Sequence, residues 1–170
     1  MTTCHPEGSA RAPAEALRVA LVGSPNAGKT SIFNHLTGLR ARTGNYPGVT
    51  VTRSVGTARC RGREGVATVA VEDLPGSYSL SPVSPDEQVV ADLLEGKLAG
   101  IEPPDTLAVV VDVTVLERSM SLVAQVLALG KPTIVVLTMT DESASRGGHL
   151  DIARLAGALA VAALLWLTPG

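Results

Sequence analysis

Apolar segments alternate along most of the chain with segments of helical periodicity. Three continuous apolar runs are typical of strands buried on both faces, and they cover residues 17–22, 106–112 and 131–138. Apolar residues spaced by three and four positions predict helices over residues 29–37, 86–95, 116–129 and 151–160. Strands that alternate with helices in this way predict an α/β fold, with a mainly parallel central sheet covered by helices on both faces.

A different pattern fills the space between the first and second helices. Residues 51–59 and 66–72 alternate between apolar and polar side chains, and a Gly- and Arg-rich turn separates them, so we expect a β-hairpin. Residues 40–50 are polar and contain Pro47, which predicts a loop. A last strand is expected near residues 162–166, and the chain shows no internal repeat.

Length and composition restrict the domain organisation. The chain has 170 residues with only 2% aromatic side chains, so its core must be aliphatic. Residues 1–16 are rich in Pro, Ala, Gly and Ser and predict a disordered tail, which leaves residues 17–170 as one domain. The longest apolar stretch, 155–167, is shorter than the ~20 residues that a membrane-spanning helix needs.

Charge argues against a nucleic-acid surface. The chain carries 14 basic and 16 acidic residues, a formal net charge of −2, and no basic stripe stands out along the sequence. We therefore expect no nucleic-acid partner.

The turn between the first strand and the first helix matches the phosphate-loop pattern G-x-x-x-x-G-K-[ST]. The matching residues are Gly23, Ser24, Pro25, Asn26, Ala27, Gly28, Lys29 and Thr30, and Ser31 follows them into the helix. Backbone N–H groups of such a turn point at a phosphate, and the helix adds its positive end. Lys29 is then expected to reach the β- and γ-phosphates, and Thr30 to ligate Mg²⁺. The alternative is an accidental Gly-rich turn.

Two further segments suit a bound triphosphate. Asp73, Leu74, Pro75 and Gly76 form a D-x-x-G pattern at a strand end, where the aspartate can hold Mg²⁺ and the glycine N–H can meet the γ-phosphate. Thr50 in "GNYPGVTV" is placed to sense the γ-phosphate and to ligate Mg²⁺. The alternative is that residues 73–76 form a simple turn and that Thr50 merely begins a strand. Thr43 and Thr52 are weaker candidates for the γ-phosphate sensor.

A fourth segment is the candidate for reading the base. After the apolar strand come Thr138, Met139, Thr140 and Asp141, where guanine recognition calls for N-K-x-D. Asp141 can accept hydrogen bonds from guanine, but a threonine hydroxyl is shorter than the missing amide and lacks its combined donor and acceptor. The loss of one hydrogen bond costs about 0.5–1.5 kcal/mol, so we expect weakened guanine selectivity.

Several stretches together resemble the cytosolic G domain of the bacterial ferrous iron transporter FeoB. They are "GSPNAGKTSIFNHLTG", "TGNYPGVTV", "EDLPGSYSLSPVSPDEQV", "VVDVTVLERSMSLVAQVLALGKP" and "MTDE". The resemblance implies a Ras-like P-loop GTPase fold and Mg²⁺-dependent GTP hydrolysis that regulates Fe²⁺ movement through a membrane-embedded region of the same protein. It implies a location at the cytoplasmic face of the bacterial inner membrane.

The resemblance also assigns roles to residues. It places a first switch at Gly48, Val49, Thr50, Val51 and Thr52 and a second switch at Asp73–Gly76. It matches Asn26 to an asparagine associated with K⁺ binding. The residues expected to act in catalysis are Lys29, Thr50 and Asn26.

The sequence departs from the family in three ways. Thr138 stands where the family has asparagine, and the base-supporting "SA" loop has no convincing equivalent near Trp166. The family also continues into a helical domain and membrane spans. Ser77 stands where Ras-type enzymes place a water-orienting glutamine, so we expect slow turnover. The alternatives are a nucleotide-binding switch with little or no hydrolysis, or a promiscuous NTPase. A GTPase acting on RNA is disfavoured by the acidic balance. The sequence leaves open the oligomeric state and any contact with iron.

Overall fold

The computed structural model describes residues 3–5, 16–62, 65–160 and 162–165. The strands are β1 (Thr3–His5), β2 (Leu17–Gly23), β3 (Ala41–Asn45), β4 (Thr52–Gly62), β5 (Gly65–Asp73), β6 (Thr106–Asp112), β7 (Thr133–Thr138) and β8 (Ala162–Leu165). The helices are α1 (Lys29–Thr37), α2 (Pro85–Leu94), α3 (Leu116–Ala128), α4 (Thr140–Ser145) and α5 (Ile152–Leu159).

One sheet runs through the described residues in the order β1-β4-β5-β2-β6-β7-β8, and β3 also pairs with β4. The pairs from β5 to β8 are parallel. The strand β4 is antiparallel to each of its partners β1, β3 and β5. The predicted parallel sheet is therefore present, and the predicted hairpin extends it at one edge.

Helices cover both faces of the sheet because successive residues of each buried strand point to opposite sides. On one face, Ala20 and Val22 of β2 pack with buried residues of α2 and α3, such as Val90 and Val123. On the other face, Leu21 packs with residues of α1 such as Ile32 and Phe33. Both clusters are almost entirely aliphatic, as the composition predicts.

The sequence-based prediction missed three elements. Residues 41–45, predicted as loop, form the exposed strand β3, whose stability comes from backbone pairing with β4. The polar residues 140–145 form α4. Within the predicted disordered tail, Thr3–His5 forms β1, so that prediction does not hold for these residues. Residues 1–2 and 6–15 of the tail, and Trp166, lie outside the described residues.

This topology brings four strand ends to one edge of the sheet. The neighbouring parallel strands β5, β2, β6 and β7 end at Asp73, Gly23, Asp112 and Thr138. Ligands of open α/β sheets bind outside the carboxyl ends of the strands. Among the described residues, no helix is both long and apolar enough to cross a bilayer.

Candidate phosphate-binding site

The loop between β2 and α1 exposes backbone donors at the start of the helix. Asn26 and Gly28 have φ values of 65° and 88°, and asparagine is among the few side chains that tolerate this left-handed conformation. Gly28 caps α1 without a side-chain hydrogen bond, and the first turn contains no acidic residue. The first N–H groups of a helix lack intrahelical acceptors, so this end of α1 suits an anion.

Lys29 is buried within this loop, with 7% of its surface exposed. Its Nζ donates a hydrogen bond to the backbone oxygen of Ser24 at 3.2 Å. Burial lowers the pKa of Lys29, and the nearby charge of Asp73 opposes that shift only in part. A buried ammonium in this condition gains free energy when an anion approaches it.

Asp73, at the end of β5, faces the phosphate loop. Its Oδ2 accepts a hydrogen bond from the Thr30 hydroxyl at 2.8 Å. Burial raises the pKa of Asp73, while the Thr30 hydrogen bond and the Lys29 charge act to lower it. The second carboxylate oxygen, Oδ1, is buried and has no hydrogen-bond partner in the described structure.

The oxygen donors of Thr30 and Asp73 fit a hard cation such as Mg²⁺, which prefers oxygen ligands. The unpartnered Oδ1 of Asp73 is a further reason for this assignment, because a buried carboxylate oxygen is costly to leave unpaired. Nowhere in the described ranges do three or more His, Cys, Asp or Glu side chains gather. A cation at Asp73 would therefore need phosphate and water oxygens to complete its coordination.

The segment after Asp73 packs directly on the phosphate loop. The N–H of Ser77 donates to the backbone oxygen of Gly23 at 3.0 Å. A Cβ atom on Gly76 would lie 2.9 Å from the backbone of Pro25, so only glycine allows this approach. Direct contacts thus hold the D-x-x-G segment against the phosphate loop.

A cleft of about 490 Å³ opens between these segments and the loop that precedes β4. The predicted site residues that line it are Pro25, Asn26, Lys29, Thr30, Thr50, Val51, Thr52, Asp73, Leu74, Pro75 and Gly76. Gly48 and Val49, although predicted with the first switch, are not among its lining residues, and neither is any residue of 138–141. Two further residues, Ser54 and Asp86, line the cleft without a sequence signal, because Ser54 lies in an ordinary strand pattern and Asp86 at an ordinary helix start.

Thr138 lies beneath the phosphate loop, with 2% of its surface exposed. Its hydroxyl is 2.9 Å from the backbone oxygen of Ala27 and 3.1 Å from that of Val111. Asp141 is exposed in the first turn of α4, after Met139 with φ of 56°. Thr138 therefore ties the phosphate loop to the end of β6.

Ser77 does not face the cleft. It is fully buried, and its hydroxyl donates to the backbone oxygen of Ser79. The nearest glutamine along the chain, Gln88, donates its amide to Asp92 at 2.8 Å on the exposed side of α2. No glutamine is among the residues that line the cleft.

Comparisons with known proteins identify the family of the chain. A family model described as "Ferrous iron transport protein B" matches residues 17–167. The chain belongs to the FeoB family. It is 40% identical over 145 residues to a FeoA/FeoB fusion protein of Porphyromonas gingivalis, and 42% identical over 136 residues to the Fe(2+) transporter FeoB of Staphylococcus aureus. These alignments cover 85% and 79% of this chain but only 16% and 19% of the two relatives.

Solved structures of FeoB domains share the fold. A GDP-bound mutant of the S. thermophilus NFeoB superposes with a TM-score of 0.76 at 37% identity, covering 88% of this chain and 55% of that one. The G domain of the T. maritima FeoB gives a TM-score of 0.75 at 35% identity, covering 89% and 87% of the two chains. The predicted Ras-like GTPase fold and the resemblance to the FeoB G domain are confirmed.

Proposed function

We propose that this domain binds GTP and GDP, hydrolyses GTP slowly, and regulates Fe²⁺ transport by a membrane-embedded region of the same protein. The observation that carries the proposal is the convergence of Lys29, Thr30 and Asp73 at the start of α1. A buried ammonium, unpaired helix N–H groups and an unpartnered carboxylate oxygen form one site that suits a polyphosphate with its cation. The membership of the FeoB family supports the choice of guanine nucleotide and of iron transport.

Thr30, Asp73 and Thr50 are the candidate Mg²⁺ contacts. Thr30 and Asp73 already lie within hydrogen-bond distance of each other, and Thr50 is exposed at the cleft. When bound, Mg²⁺ supplies positive charge that offsets the charge of the β- and γ-phosphates. The role of Thr50 is to contact the γ-phosphate, so that the first switch responds to triphosphate rather than diphosphate.

Asn26 is the candidate K⁺ contact, since it is exposed at the cleft next to the phosphate loop. A second cation there would add positive charge where other GTPases use an arginine finger. Its left-handed backbone is a second reason for asparagine at this position, independent of any ion.

We expect slow hydrolysis because of Ser77, the residue that follows the second switch. Ser77 is buried and engaged with Ser79, so it has no free hydroxyl to orient water in the cleft. Backbone groups of the switches and Thr50 remain to hold the water. We expect slow GTP hydrolysis, as suits a molecular switch, and a higher rate of hydrolysis when K⁺ is added.

Guanine selectivity rests on Asp141. Thr138 directs its hydroxyl to Ala27 and Val111 and is buried, so it adds no contact to the base. We therefore propose that the domain prefers guanine over adenine nucleotides, but that this preference is weaker than it would be with asparagine at position 138.

The proposal places the domain at the cytoplasmic face of the inner membrane, where it would contact the rest of the transporter. The support is that this chain covers less than a fifth of the relatives, which are Fe(2+) transporters by name.

Phosphate release from GTP and from ATP tests the proposal, measured with and without Mg²⁺ and K⁺. We expect Mg²⁺-dependent GTP turnover, faster with K⁺, and slower turnover of ATP. Tight GDP binding with no turnover would favour the alternative of a binding switch without hydrolysis. Equal turnover of GTP and ATP would favour a promiscuous NTPase.

A further inference from the structure

A buried carboxylate, that of Glu72 on β5, pairs with the two residues that flank the first switch. Tyr46, directly after β3, is 1% exposed, and its hydroxyl donates to Oε1 of Glu72 at 2.7 Å. Arg53 donates to both oxygens of Glu72, from Nε at 2.8 Å and from Nη2 at 3.2 Å. Arg18 of β2 adds an ion pair at 3.7 Å. Each oxygen of this buried carboxylate is thus paired.

These contacts hold the base of a short loop. Asn45 and Thr52 are paired residues of β3 and β4, so only residues 46–51 connect the two strands. The N–H of Tyr46 donates to the oxygen of Val51 at 3.0 Å, and the N–H of Val49 donates to the oxygen of Tyr46 at 3.2 Å. Pro47 followed by Gly48 with φ of 78° is the composition of a type II turn.

The loop therefore has a fixed base and an exposed tip. Tyr46 and Val51 are 1% and 6% exposed, whereas residues 47–50 are all exposed. Thr50 lies at the tip and lines the cleft. Burial and the neighbouring Glu72 raise the pKa of Tyr46, so its hydroxyl keeps its proton and donates throughout the physiological range.

We propose that Tyr46, Glu72 and Arg53, named here the Tyr46 latch, are positioning residues that hold Thr50 at the phosphate cleft. The inference rests on the proposed function, because it needs Thr50 to contact the γ-phosphate. Glu72 is also the residue before Asp73 on β5, so one strand carries both the latch carboxylate and the candidate Mg²⁺ contact. The latch thereby fixes the distance between the two switches at the Thr50 side of the cleft.

The latch makes a prediction that a purely structural role does not. Only a triphosphate offers the group that Thr50 contacts, so loosening the loop base must weaken triphosphate binding and spare GDP. Tyr46→Phe removes only the hydroxyl, so we expect the ring to stay in place and Glu72 to keep the two hydrogen bonds that it accepts from Arg53. We expect about three- to tenfold weaker binding of a non-hydrolysable GTP analogue, GDP affinity within about twofold of wild type, and a lower kcat for GTP.

Two further variants make the experiment decisive. Thr133→Val removes a side-chain hydrogen bond, from Thr133 to the oxygen of Lys131 at 2.8 Å, at the opposite end of the sheet, and it should alter neither affinity. Thr50→Ala should weaken the GTP analogue at least as much as Tyr46→Phe does. If Thr50→Ala leaves the ratio of GTP-analogue affinity to GDP affinity unchanged, Thr50 does not contact the γ-phosphate. That part of the proposed function is then wrong, and the latch proposal falls with it.

If Thr50→Ala changes this ratio and Tyr46→Phe does not, the latch alone is overturned. Equal weakening of both nucleotides by Tyr46→Phe would also overturn it, since that result means a general loss of structure. Should Tyr46→Phe fail to fold, Arg53→Lys replaces it. That variant keeps the positive charge beside Glu72 but loses the two-pronged contact, and it must reproduce the selective loss of triphosphate affinity.

Discussion

The phosphate end and the base end of the candidate site are built differently. At the phosphate end, Lys29 donates to the loop backbone and Thr30 donates to Asp73, whose buried Oδ1 has no hydrogen-bond partner among the described residues. At the base end, the hydroxyl of Thr138 is engaged with Ala27 and Val111, the Thr140 hydroxyl is buried without a partner among the described residues, and Asp141 stands exposed. We therefore propose that the site binds the polyphosphate more strongly than it recognises the base.

The largest expected effect breaks the phosphate end. Lys29→Ala should weaken GDP and ADP alike by about 100-fold or more, because it removes a buried charge that both polyphosphates share. Lys131→Ala is the matched control, since Lys131 also donates from Nζ to a backbone oxygen, that of Pro104 at 2.8 Å, but far from the cleft. Calorimetric titration of each nucleotide measures the effect. A loss confined to GDP would contradict the comparison.

Asp73→Asn should separate function from stability. It should lower Mg²⁺-dependent hydrolysis by about 10- to 100-fold, because the candidate metal contact loses its charge. Burial raises the pKa of Asp73, so the folded protein binds this proton more tightly than the unfolded chain, and stability falls as pH rises through that pKa.

The same substitution should therefore raise the Tm of the nucleotide-free protein at neutral pH, since it removes a buried charge that the fold disfavours. The gain should shrink as the pH falls below the folded-state pKa of Asp73, where the wild type is protonated. Thermal melts over a pH series check this. The raised pKa of Asp73 would be refuted if the Tm difference between Asp73→Asn and wild type were smaller at neutral pH than at acidic pH.

A smaller effect is expected at the exposed acid of the base end. Asp141→Asn should weaken GDP by about tenfold and leave ADP unchanged, because a carboxylate accepts hydrogen bonds from guanine that an amide accepts less well. Glu142→Gln is the neighbouring control, since Glu142 pairs with Arg146 within α4. Competition between the two nucleotides gives the ratio directly. Unchanged GDP affinity in Asp141→Asn would place guanine recognition elsewhere.

The smallest expected effect sharpens the comparison at residue 138. Thr138→Asn should tighten guanine nucleotides by about three- to tenfold and change adenine nucleotides little. Thr138→Val instead removes the hydroxyl partner of Ala27 and should cost about 1 kcal/mol of stability while weakening both nucleotides equally. Calorimetry with GDP and ADP distinguishes the two variants. Equal effects of Thr138→Asn on both would mean that residue 138 lies away from the base.

The phosphate end could be predicted from sequence because its chemistry is local. The residues from Gly23 to Thr30 are contiguous, and a strand and a helix of clear periodicity flank them. Asp73 is a candidate because its D-x-x-G pattern ends a strand and follows the phosphate loop along the chain. The strand order β5-β2-β6-β7, which the sequence did not indicate, brings these strand ends together.

The features that sequence could not predict depend on contacts between distant residues. The strand β3 has a polar, exposed sequence, and only its pairing with β4 makes it a strand. The latch joins Tyr46 to Glu72, 26 positions apart, and nothing in either segment indicates the other. From sequence, Thr138 is notable only because it stands where guanine recognition calls for asparagine. Its hydrogen bond to the backbone oxygen of Ala27 forms only in the folded protein, because the two residues are distant in sequence.

Hydrogen–deuterium exchange of this chain with and without saturating GDP and Mg²⁺ tests the central claim most directly. The claim is that backbone N–H groups at the start of α1 and the ammonium of Lys29 bind the phosphates of the nucleotide. We predict strong protection of the amides of residues 26–31 on binding, with little change in β8. Tight GDP binding that leaves those amides unprotected would contradict the account.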